Sequence, residues 1–205
     1  MTEKEWLREN DPTAMVASLR GIVSDRKLRL FACSCERAQN ENKGDRADAS
    51  QRDWIKATEM FIEGVISPAE WERVRNGRHS TLHANSHAEH ASRGACVDAG
   101  RHNLHLGHEF DEANRAREAA RQITVLRDVF GNPFQPVAFD PSLRTSTAVA
   151  IAKGMYDSRD FAAMPLLADA LQDAGCADDR ILEHCRGREP HVKGCWVVDL
   201  VLGKE

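Results

Sequence analysis

The stretch EFDEANRAREAARQITVLRDVFGNP, residues 109–133, decides the fold class. Ala113, Ala116, Ala120, Ile123, Leu126, Val129 and Phe130 recur at spacings of three and four, with charged residues between them. That is the pattern of a helix carrying one inward stripe. Gly131-Asn132-Pro133 follows, a glycine able to end the last turn and a proline that cannot continue it. The reading is a helix from Glu109 to Phe130.

The same sequence of cap, stripe and breaker repeats in both directions. Towards the N-terminus, Thr2 with Glu5 forms a capping box, and Asp11-Pro12 precedes Met15, Val16 and Leu19. Ser24-Asp25 opens a helix bearing Leu28, Phe31, Ala32 and Cys35, and the polar run from Asn40 to Asp45 reads as a loop. Asp48 to Gly64 is amphipathic, and Ser67-Pro68-Ala69-Glu70 opens a helix holding Trp71 and Val74. Towards the C-terminus, Pro136 and Pro141 keep Phe134–Ser142 extended. Helices are expected over Thr145–Tyr156, over Asp160–Ala174, from the Ala177-Asp178-Asp179 cap to Cys185, and over Val192–Leu202. No period-two strand pattern with turn punctuation interrupts them. The fold expected is all-α, an irregular bundle of about eight to ten helices in a single domain over residues 1–205. The His- and Ala-rich stretch 76–108 is expected to be helical and to protrude or move. The last helix, apolar on nearly every face, is expected at the centre with Trp196 buried, and core positions are expected for Trp6, Trp54 and Trp71.

Composition narrows the function classes. Hydrophobic residues make up 41% and charged residues 29% of 205, a globular balance. The formal net charge of -4 gives no electrostatic footprint for nucleic acid. No basic run suits an anionic membrane, and no apolar stretch approaches the roughly 18 residues of a membrane span. The polar start Met1-Thr2-Glu3-Lys4-Glu5-Trp6 lacks a secretory apolar core. A cytoplasmic protein is expected, its six cysteines reduced thiols or metal ligands rather than a disulfide framework.

Several blocks carry a resemblance. They are Met1–Leu7, Ser24-Asp-Arg-Lys-Leu-Arg-Leu-Phe-Ala-Cys33, Leu126-Arg-Asp-Val-Phe-Gly-Asn-Pro-Phe134, Ala168-Asp-Ala-Leu-Gln-Asp-Ala-Gly-Cys176, and His184-Cys185 through His191-Val-Lys-Gly-Cys-Trp-Val-Val-Asp199. Together they cover about half of the chain. In these blocks the sequence resembles a large family of planctomycete proteins to which no activity, substrate or cofactor is assigned. The resemblance implies an Ala-rich helical middle segment, where this sequence carries histidines. A histidine-based function would then belong to this member and not to the family.

Two clusters offer metal-ligand chemistry. Seven of the nine histidines fall between His79 and His108. His79, His83, His87 and His90 follow at four, four and three residues, which on a helix confines them to an arc of about 80°. Imidazoles at i and i+4 can share a zinc, nickel or copper ion, and His102, His105 and His108 offer a second face. A solvated polar helix face explains the same pattern without a ligand. The second cluster is Cys33 and Cys35, then His184, Cys185, His191 and Cys195, with Cys185, His191 and Cys195 as the zinc candidates. Cys33 and Cys35, two apart on a helix, point about 160° away from each other. His191, Cys195 and Asp199, each four apart, would share one helical face. Core packing of the cysteines as small hydrophobes is the plain alternative.

No phosphate loop, Walker pattern or dinucleotide fingerprint is present, and no acid, base and nucleophile stand at readable spacing. The sequence therefore points first to a non-enzymatic interaction or scaffold module with a protein partner, and is compatible with self-association. A divalent-metal-binding protein using the histidine face, with zinc as its ion, is the second reading. A metal- or thiol-dependent enzyme is the third.

Overall fold

A computed structural model describes residues 1–19, 21–42, 49–76 and 112–204. Among the described residues all regular structure is helical, in ten α-helices and one 3₁₀ turn, as the capping pattern requires. We label them α1 (Glu3–Arg8), α2 (Pro12–Ser18), α3 (Asp25–Asn42), α4 (Ala49–Ile62), α5 (Pro68–Asn76), α6 (Glu112–Phe130), α7 (Ser146–Ser158), α8 (Met164–Asp173), α9 (Asp179–Arg186) and α10 (Trp196–Leu202). The 3₁₀ turn covers Pro141–Leu143. Among the described residues no helix is long and apolar enough to cross a membrane.

The chain divides into two compact units, Met1–Leu126 and Arg127–Glu205. In the first, α3 packs on α4 and α4 on α5. The caps fall where the sequence places them. Thr2 Oγ1 accepts from the Glu5 amide while Glu5 Oε2 accepts from the Thr2 amide, and Ser67 with Glu70 repeats the exchange. Trp6, Met15, Val16 and Phe31 are buried. The Trp71 indole stacks on Phe61 at 5.1 Å, donates to Thr58 Oγ1 at 3.0 Å, and lies under the Arg29 guanidinium at 4.7 Å. Of the expected loop Asn40–Asp45, residues 40–42 are instead the end of α3, and residues 43–45 lie outside the described residues. Glu36 and Asn40 are buried, and the Gln51 amide donates to Glu36, so a polar segment is helical because α4 covers it.

In the second unit α8 packs on α7 and α9, and α10 packs on α7 and α9. Leu167, Ala168, Leu171, Cys185, Val197 and Val201 are fully inside. Three expectations change here. Helix α8 starts at Met164 rather than Asp160, because Pro165 lacks an amide and fits only a first turn. Helix α10 starts at Trp196 rather than Val192: Gly194 has φ +99 and the Cys195 amide bonds to the Val192 carbonyl, so residues 192–195 form a turn. Trp196 is only partly buried, lying across Gly131 instead of entering the core. Along α6 the stripe also starts late, with Ala116 and Ala120 exposed and burial running from Gln122 to Val129.

Candidate metal centre

The last turn of α6 carries a carboxylate where a surface residue would be expected. Asp128 stands between exposed Arg127 and buried Val129, two residues after buried Leu126, and its side chain is 3% exposed. Gly131, at φ +60, ends the helix as its Gly-Asn-Pro sequence dictates, its amide bonding to the Arg127 carbonyl at 2.9 Å. A Cβ at Gly131 would meet the Trp196 ring at 3.2 Å, so the absent side chain is what lets that indole lie flat across the chain.

Two further segments converge on Asp128. Helix α9 is opened by Asp178, whose Oδ1 accepts from the Arg180 amide at 2.9 Å, and its last turn presents His184. After α9 the chain returns through His191 and turns at Val192–Cys195, where the Cys195 amide bonds to the Val192 carbonyl at 2.9 Å. Position three of that turn needs positive φ, and Gly194 occupies it without a Cβ penalty. The turn places the Cys195 thiol beside His191 and makes Cys195 the residue that precedes α10.

The distances define one focus. His191 Nδ1 is 2.7 Å from Asp128 Oδ1, and His184 Nε2 is 3.2 Å from the same oxygen. His184 Nε2 is also 3.2 Å from Cys195 Sγ, and His191 Nδ1 is 3.9 Å from that sulfur. One ligand atom from each of Asp128, His184, His191 and Cys195 lies within 4.8 Å of every other. Zinc bonds of about 2.0–2.3 Å in a tetrahedron separate ligand atoms by roughly 3.3–3.7 Å. To seat an ion of that size the Asp128–His191 pair opens by about 0.6 Å and the wider pairs, such as His191–Cys195 at 3.9 Å, close. The remaining Asp128 oxygen, Oδ2, accepts from the Val192 amide at 2.8 Å and so fixes the carboxylate plane.

The arrangement is a convergence and not a relay. A nucleophile–base–acid chain uses opposite edges of the imidazole, one nitrogen for the nucleophile and the other for the acid. Here His184 faces the acid and the thiol with one and the same nitrogen, Nε2, and His191 does so with Nδ1. Burial pushes the Cys195 thiol well above its ordinary pKa; the Asp128 carboxylate adds to this, and the Val198 and Val197 amides only partly oppose it. A thiol held that way is a poor free nucleophile, yet a bound divalent ion favours its thiolate form. Burial also acts to raise Asp128, but hydrogen bonds and charge from His184 and His191 outweigh it and hold the carboxyl below the usual range. A thiolate and a carboxylate together carry two negative charges, which a divalent cation cancels inside a buried site.

The residues singled out in the sequence are distributed as follows. His191 and Cys195 are in the cluster, through a turn rather than a shared helical face, and Asp199 is buried in α10 outside it. Cys185 is not a member; it is fully buried in the core, where burial pushes its thiol up to about 12, and its neighbour His184 supplies the ligand. Cys33 and Cys35 are buried in α3 and take no part. His79, His83, His87 and His90 lie outside the described residues, as do His102, His105 and His108. The sequence does not mark Asp128 as a ligand, because a carboxylate at the edge of a helical stripe is ordinarily solvated. The readable signal was its place in the last turn of the helix, two residues after Leu126 and just before Val129-Phe130 and the Gly-Asn-Pro stop.

No protein-family model, no curated protein and no solved structure matches the chain, so the reading of the centre stands on its own residues.

Proposed function

We propose that this chain is a zinc-binding helical protein whose second unit is built around a closed, structural metal centre at Asp128, His184, His191 and Cys195. The convergence of four ligand atoms from three chain segments within 4.8 Å carries the proposal. Two imidazoles, a thiolate and a carboxylate form a mixed N/S/O set suited to zinc, whereas calcium and magnesium prefer oxygen alone. Four protein ligands complete a tetrahedron, and catalytic zinc sites keep one position for water or substrate. The closed set therefore supports a module that presents a folded surface to a protein partner, or to a second copy, over an enzyme. The five described cysteines are free thiols, which suits a reducing cytoplasm.

The ion would tie the end of α6 to α9 and to the turn before α10. Binding to the folded state alone stabilises it by about 4 kcal/mol at a thousandfold excess over Kd. The test is elemental analysis of protein purified without an affinity tag, together with melting before and after chelation. One zinc per chain and a melting point that falls on chelation are expected. Metal-free protein that melts identically with and without added zinc would overturn the proposal.

A further inference from the structure

We infer that His184 is the exchangeable ligand of this centre, while Asp128, His191 and Cys195 form a fixed three-ligand cradle. When the His184 ring turns aside, the ion enters or leaves on that side, and the vacated position takes a small monodentate donor such as imidazole. The inference rests on the reading of the cluster as a metal centre.

Solvent reaches the four side chains unequally. The His184 side chain is 19% exposed, against 3% for Asp128 and 6% for His191, and Cys195 is fully buried. Three ligands are anchored by the chain around them. Asp128 is held through Oδ2 by the Val192 amide. His191 is anchored through the next residue, whose amide donates to Asp128 Oδ2. Cys195 is fixed by the Val192–Cys195 turn and stands at the start of α10.

His184 has no comparable anchor among the described residues. Its polar ring contacts are with Asp128 and Cys195 themselves. Its other ring contacts are the edge of His191 at 4.8 Å and the partly buried Trp196 at 5.1 Å. Metal-bound histidines ordinarily gain orientation from a hydrogen bond on the second nitrogen. Among the described residues neither His184 nor His191, whose buried Nε2 has no partner, receives one, so the two differ in exposure and in their attachment to the backbone. Turning this one ring breaks its contacts within the centre and its contact with the partly buried Trp196. Moving any of the other three disturbs backbone as well.

The experiment uses the full chain loaded with cobalt(II), whose visible spectrum reports coordination, and compares His184→Gly with His191→Gly. His184→Gly is expected to retain one cobalt per chain, with affinity reduced on the order of 10- to 100-fold. Its release to a chelator should be at least tenfold faster, and millimolar imidazole should return the spectrum towards that of the parent. His191→Gly should lose cobalt, with no rescue. Equal loss of cobalt in the two variants, or a His184→Gly spectrum indifferent to imidazole, would overturn the inference. If His184→Gly loses its helical circular dichroism, His184→Asn replaces it, and a release rate equal to that of the parent would overturn the inference. A parent chain that takes up no cobalt would instead remove the centre itself.

Discussion

Asp128 uses both of its oxygens on the same short segment, Oδ1 on His191 Nδ1 at 2.7 Å and Oδ2 on the Val192 amide at 2.8 Å. Oδ1 holds His191 when no ion is bound and would turn to the ion when one is, while Oδ2 ties the returning chain to the end of α6 in either case. Asp128→Asn keeps the shape and removes the charge. Zinc affinity should fall by at least about tenfold, because the neutral amide does not balance the cation and is a weaker ligand than the carboxylate. Competition against a chromophoric chelator measures it, and an unchanged affinity would contradict the role given to Asp128.

Gly131 combines φ +60 with a Trp196 ring 3.2 Å from where a Cβ would sit. Gly131→Ala should therefore cost the left-handed strain of about 1 kcal/mol and a displacement of the indole in addition. Gly203, at φ +65 and with nothing nearer its Cβ position than the Arg144 guanidinium at 3.7 Å, is the matched control. Gly131→Ala should lower the denaturation midpoint more than Gly203→Ala does. Equal shifts would mean that the Trp196 contact contributes nothing.

Helix α9 brings His184 to the centre and is opened by Asp178, which caps the Arg180 amide at 2.9 Å. Asp178→Ala should cost about 1 kcal/mol of stability. Metal stoichiometry should stay unchanged, because the cap is at the far end of α9 from His184. Loss of the metal in this variant would show that the ligand needs the whole helix intact.

The metal-free and metal-bound proteins should differ in their response to alkali. Burial holds the Cys195 thiol well above its ordinary pKa, and Cys185 is raised to about 12. A raised folded-state pKa contributes stability that is complete below the unfolded value, about 8.5 for cysteine, and is lost as pH climbs towards the folded value. Metal-free protein should weaken steadily above about pH 8.5. With zinc bound, Cys195 is already a thiolate and its share of that loss disappears. At the acid end Asp128, lowered in the fold, contributes stability above about pH 4 that is lost as pH falls through its folded value. Denaturation midpoints at pH 7, 8.5 and 10, with chelator and with zinc, check the alkaline arm. Parallel curves would contradict it.

The helical architecture was legible because its signals are local. A capping box such as Thr2 with Glu5, or a Gly-Asn-Pro stop after Phe130, is decided within a few residues. The centre was half legible. His191 and Cys195 are close in sequence and carry ligand chemistry, but their spacing of four suggested a helical face where Gly194 in fact makes a turn. Asp128 lies 63 residues from His191, and only the fold brings the two together. The choice of His184 over Cys185 depends on which of two adjacent side chains on α9 faces the core and which faces Asp128. One position along a helix turns a side chain by about 100°, and an apolar stripe this short does not fix that phase.

The central claim is that Cys195, with Asp128, His184 and His191, holds one metal ion. Cobalt(II) titration of tag-free, metal-free protein tests it most directly, with Cys195→Ser, Cys185→Ser and a His83→Ala, His87→Ala double variant in parallel. The parent, Cys185→Ser and the double histidine variant should each develop tetrahedral cobalt bands and a sulfur-to-cobalt charge-transfer band, saturating at one equivalent. Cys195→Ser should lack the charge-transfer band. A parent with no such band, or a band that survives Cys195→Ser, would contradict the account.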